Sequence, residues 1–134
     1  MNQSTKNSTV AYIPVSIGEL IDKITILEIK MNHMSDEKLM NVKKELEYLE
    51  NVYVENSIDV NIGLINDLKN VNIKLWDIED RIRLKEAKEQ FDNDFINLAR
   101  SVYIENDKRS KLKKEINNIY NSEIVEEKSY PGTR

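Results

Sequence analysis

Cysteine is absent from this chain, which excludes disulfides, thiolate nucleophiles and thiolate metal ligands. A single histidine, His33, leaves no zinc site built from His and Cys. Three glycines and two prolines supply little of the turn chemistry that an all-β fold needs. No run of about 18 apolar residues occurs, so no membrane span is expected. There is no G-x-x-x-x-G-K, no H-E-x-x-H, no nucleophile elbow and no dinucleotide fingerprint, and no motif implies a cofactor or a metal. Long basic runs are missing as well. Lys108, Arg109, Lys111, Lys113 and Lys114 cluster, but Glu105, Asp107 and Glu115 stand among them, and the net charge is −4. Nucleic acid is therefore not an expected partner.

What remains is a chain of 134 residues, enough for one domain with a modest core. Its 33% charged residues beside 40% apolar ones suit amphipathic helices with solvated outer faces. Residues 1–15 read as a flexible or extended leader: MNQSTKNST is polar, and Val10 to Val15 include Pro14. The leader has no apolar core, so no signal peptide is expected and the cytoplasm is the expected setting.

The first helix announces its start. Ser16 is placed to be an N-cap, Glu19 follows three residues on as in a capping box, and Val15 with Leu20 can form a hydrophobic staple. Its inner stripe reads Ile17, Leu20, Ile21, Ile24, Leu27 and Met31, while Ile26 and Ile29 point elsewhere. Apolar residues on more than one side predict a helix that is central or faces a second chain. A second helix is expected from Ser35 or Asp36 to about Val54, on Leu39, Val42, Leu46, Leu49 and Tyr53. The short turn before it predicts an antiparallel hairpin. A third runs from about Ile62 to Glu89, and a fourth from Asp92 to about Tyr120, with Phe91 and Ile96 as its staple. The expected fold is an all-α antiparallel four-helix bundle of long helical hairpins over residues 16–121, followed by a C-terminal tail at 122–134.

Polar residues interrupt the stripes. On the fourth helix Phe95, Leu98, Ala99 and Val102 give way to Asn106, Arg109 and Lys113 before Ile116 and Tyr120 resume. Glu28 falls between Ile24 and Met31, and Glu79 and Arg83 flank the stripe of helix three. Polar groups that face a core cost free energy unless paired. One expectation is a set of structural pairs, Glu28 with Lys113 and Glu79 with Arg109, that set register. The other is an anion site lined by Arg109, Lys113, Arg83 and Asn106 with Glu28 and Glu79 as partners, because the guanidinium fork suits carboxylate or phosphate. Acid pairs at Glu47/Glu50 and Asp77/Asp80 match the Mg²⁺-binding pattern of helical nucleotide pyrophosphohydrolases only weakly, since the aspartates lie opposite the apolar stripe.

Three stretches carry a resemblance: PVSIGELIDKITILEIK at 14–30, KLWDIEDRIRLKE at 74–86 and FINLARSVYIENDKRSKLKKEIN at 95–117. With the VEEKSY tail they resemble an uncharacterised family of small helical bacterial and viral proteins, catalogued as a domain of unknown function. The resemblance implies no activity and no site residue. The functional expectation is a non-enzymatic helical interaction or scaffold module that self-associates, most simply as a coiled-coil homodimer. The alternative is a small-anion binder or enzyme for a nucleotide, sugar phosphate or carboxylate.

Overall fold

The computed structural model describes residues 8–131 and contains four helices: α1 Ile17–Met31, α2 Asp36–Glu55, α3 Ile62–Ala87 and α4 Asn93–Ile119. They form the antiparallel four-helix bundle that periodicity predicts, with each boundary within two residues of expectation. Part of the expected flexible leader, residues 1–7, lies outside the described residues. Among the described residues, no helix is long and apolar enough to cross a membrane.

The starts are set by caps. Ser16 Oγ accepts from Glu19 N–H at 3.0 Å and Asp92 Oδ1 accepts from Phe95 N–H at 2.9 Å. The Phe91–Ile96 staple is replaced by an edge-to-face pair of Phe91 and Phe95 at 5.2 Å, and Ile96 is exposed. Three helix ends close without glycine. Ser57, Glu89 and Asn121 take left-handed backbone (φ 53°, 54° and 56°). The amides of the residues that follow them, Ile58, Gln90 and Ser122, reach back to the carbonyls of Tyr53, Lys85 and Asn117.

α1 is central. It packs on α2, α3 and α4, whereas the α2 backbone approaches α1 alone among the helices, with Tyr53 at its end reaching the cluster around Ile21 and Val60, and α3 pairs along its length with α4. Two stripes on α1 explain this. Leu20, Ile24, Leu27 and Met31 face α2, where Leu27, Val42 and Leu46 form one buried cluster. Gly18, Asp22, Thr25 and Ile29 recur at i, i+4, i+7 and i+11 and are buried. Through Gly18 and Asp22 this stripe meets α4, and through Asp22 and Thr25 it meets α3. Ile21 lies between the stripes and joins Val60, Leu68 and Ile116 in a second cluster. Ile29, expected to point away, is thus part of the core.

α1 rises only about 22 Å while α3 and α4 rise about 40 Å. At the end of α1, His33 stacks on Trp76 at 4.6 Å. The α3–α4 hairpin continues beyond that point as a two-helix arm.

Candidate functional site

The polar interruption on α4 meets α1 at Asp22, which has no exposed surface. Arg109 grips this carboxylate with its fork: Nε donates to Oδ1 at 2.9 Å and Nη2 donates to Oδ2. Asn72 of α3 donates from Nδ2 to Oδ1 at 2.8 Å and to Thr25 Oγ1 at 3.0 Å. Thr25 Oγ1 in turn donates to the Asp22 carbonyl at 2.8 Å. Lys113 Nζ stands 3.8 Å from Asp22 Oδ2 and donates to Glu19 Oε2. The hydrogen bond to Asp22 raises the Arg109 pKa above its ordinary value; burial works against this, and the Asp22 and Glu19 charges add to the rise. Oδ1 thus accepts two hydrogen bonds and Oδ2 one, with the Lys113 charge nearby, and three helices are tied at one point.

One turn toward the start of α1, a second cluster satisfies the helix end. A helix leaves its first amides without internal partners. Here Ile17 N–H donates to Ser122 Oγ at 3.0 Å, Gly18 N–H to Asn117 Oδ1 at 2.6 Å and Glu19 N–H to Ser16 Oγ. Ser16 Oγ lies 2.9 and 2.7 Å from the two Glu126 oxygens, and Asn117 Nδ2 is 3.3 Å from Oε1. Burial pushes the Glu126 carboxyl up, but the Ser16 and Asn117 hydrogen bonds, its own backbone amide and the Lys113 charge together hold it below the ordinary range. The tail is thereby strapped over the first turn of α1, and Lys114 with Glu127 adds an exposed pair at 2.9 Å.

Of the six residues singled out by pattern, Arg109 and Lys113 meet at Asp22. Asn106 joins them at the margin, its Oδ1 lying 3.5 Å from Arg109 Nη1. Glu28 does not join. It pairs with Lys69 at 3.3 Å, each side chain about one-third exposed, because the rotation along α1 carries position 28 to the α3 edge. Glu79 and Arg83 are exposed on α3 at about the level where α1 ends. The expected pairs Glu28–Lys113 and Glu79–Arg109 are thus replaced by Glu19–Lys113 and Asp22–Arg109. Asp22, Asn72, Asn117 and Glu126 were missed by the periodicity argument. The small and polar spacing of Gly18, Asp22 and Thr25 was the available signal for the first of them. Glu105, also buried, pairs with Lys108 at 3.0 Å and Lys74 at 3.8 Å. Asp77, Asp80, Glu47 and Glu50 are exposed, on two helices whose backbones do not approach each other. Among the described residues, no group of His, Asp and Glu is arranged to hold a metal ion.

A cleft of about 410 Å³ lies between α4 and the tail, bordered by four lysines (Lys111, Lys113, Lys114 and Lys128), three acids (Asp107, Glu126 and Glu127), Ser110, Asn117 and Tyr130. Arg109, Arg83, Glu28 and Glu79 do not line it.

A family model described as DUF6165, a family of unknown function, matches residues 11–133. No curated protein and no solved structure matches the chain.

Proposed function

The chain belongs to DUF6165, a family of unknown function, and from that premise we propose that it is a non-enzymatic helical interaction module that self-associates as a homodimer. The observation that carries this reading is the pairing of Asp22 within the chain. A carboxylate with no exposed surface, held by a guanidinium fork and an amide, has its acceptors engaged within the chain and holds α1, α3 and α4 in register. Self-association draws support from large apolar side chains left outward on the long helices, including Met40, Leu84, Ile96 and Tyr103, each more than half exposed. The setting we propose is the cytoplasm of a bacterial or virus-infected cell, with coiled-coil packing between copies.

Sedimentation equilibrium on the full chain tests the reading: a dimer mass is the expected result and a monomer mass at all concentrations overturns it.

One observation favours a second reading, that the chain binds a small anion such as a nucleotide, sugar phosphate or carboxylate. The cleft beside the tail has four lysines on its border against three acids, and among the described residues Lys111 and Lys128 are the two of these lysines without an ion pair, within a volume suited to a metabolite. Thermal-shift titration with phosphorylated metabolites separates the two. A ligand at 100 times its Kd adds about 2.7 kcal/mol to stability, and the interaction-module reading expects no shift.

A further inference from the structure

We propose that the outward face of α4 is the self-association surface, with two copies packing α4 against α4 antiparallel about a two-fold axis beside Tyr103 and Ile104. This deepens the interaction-module reading and rests on it. At about 100° per residue, Ile96, Arg100, Tyr103, Ile104, Asp107 and Lys111 fall within an arc of roughly 100°. That arc lies opposite the inward positions Leu98, Glu105 and Ile116 and away from the Arg109 fork into α1. Ile96 is 51%, Tyr103 56% and Ile104 41% exposed, so the stripe combines apolar surface with charges of both signs.

The charge pattern identifies the occupant. In an antiparallel pair centred between Tyr103 and Ile104, each residue opposes the one equally far on the other side of the axis. Tyr103 then meets the partner's Ile104, and Arg100 meets the partner's Asp107, twice by symmetry. Ile96 meets the aliphatic stem of the partner's Lys111 at the edge of the partner's tail cleft. The face is complementary to itself, which an isologous interface requires. The corresponding pairings on α3 and α2 lack this property. Pairing α3 about Ile73 and Leu84 sets Asp77 against Asp80 in both halves, and pairing α2 about Met40 and Tyr48 sets Lys44 against Lys44. Like charges directly opposed select against those pairings.

The test is a charge-swap cycle on the full chain, read as the dimer Kd by sedimentation equilibrium up to about 100 μM. Arg100 and Tyr103 are exposed on α4 and Asp107 is half-buried at the mouth of the tail cleft, and circular dichroism checks that each variant folds. Arg100→Asp and Asp107→Arg are each expected to raise the dimer Kd about tenfold or more, and the double reversal to return it to within about threefold of the parent. Tyr103→Glu is expected to leave monomer. A parent chain that is monomeric throughout overturns both this surface and the self-association reading. A dimer indifferent to Tyr103→Glu and to the single reversals overturns the surface alone. Single reversals that weaken the dimer without rescue by the double reversal overturn the antiparallel register.

Discussion

Gly18 marks the closest approach of α1 to α4. A Cβ there would lie 2.5 Å from the Lys113 carbonyl oxygen and 2.9 Å from Asn117 Oδ1, and the first of these is backbone that cannot step aside. Gly18→Ala is therefore expected to destabilise by about 1–3 kcal/mol despite the better helix propensity of alanine, measured by urea unfolding. One turn on, Arg109→Leu would leave Asp22 with Asn72 and the more distant Lys113. We expect a loss of about 3 kcal/mol, and a double-mutant cycle with Asp22→Ala in which the two losses do not add. A variant Arg109→Leu more stable than the parent would contradict the structural role. Glu89 presents the opposite case. Its left-handed φ of 54° closes α3 at a residue that gains nothing from a side chain there, and Glu89→Gly should add about 1 kcal/mol, or about 4 °C in Tm.

The tail and the first turn of α1 act as one element. Three side chains satisfy three consecutive amides, and Glu126 anchors the strap through Ser16. The Glu126 carboxyl titrates below its ordinary 4.5, so it is ionised more readily folded than free. Its contribution is thus complete above about that pH and is lost as pH falls through the lowered folded value. Backbone order of residues 122–127, read from heteronuclear NOEs, should hold steady from pH 8 down to about 4.5 and fall at lower pH. Glu126→Gln should remove that pH dependence, since the amide carries no proton to gain. Helix ends elsewhere follow the same logic with fewer groups: Asp92 caps α4 and also receives Lys85, whose hydrogen bond, with that of the Phe95 amide, lowers its pKa.

Across the whole molecule, stability is unevenly distributed. α1, α3 and α4 share the Asp22 network and the cluster around Leu68 and Ile116, while α2 leans on α1 through Leu27, Val42 and Leu46. A helix held on one side opens at lower free energy than one held on three. Native-state hydrogen exchange should find α2 amides less protected than those of α1 and of the adjoining half of α4. Equal protection in all four helices would show a single cooperative unit instead. The arm formed by α3 and α4 beyond Trp76 is also held on one side only, and the α4 stripe proposed for self-association starts on it.

The helices, the Ser16 cap and the central place of α1 were legible from sequence, because each depends on chain-local features: an N-cap hydroxyl, a 3.6-residue period, a short turn; the Glu19 carboxylate of the expected capping box instead turns to Lys113. The abrupt polar stretch on α4 also located the point where helices meet, since Arg109 and Lys113 do enter that junction. Their partners were decided only by tertiary packing. Glu28 sits within the apolar stripe by count, yet about 100° of rotation per residue carries it to an edge beside Lys69. Asp22 lies outside the apolar stripe of α1, and is the buried anchor because α3 and α4 converge on the small side of α1 left open by Gly18 and Thr25. A sequence carries the rotation of each helix about its own axis; which neighbour fills a given direction is settled when several helices pack at once and every buried charge must find an opposite.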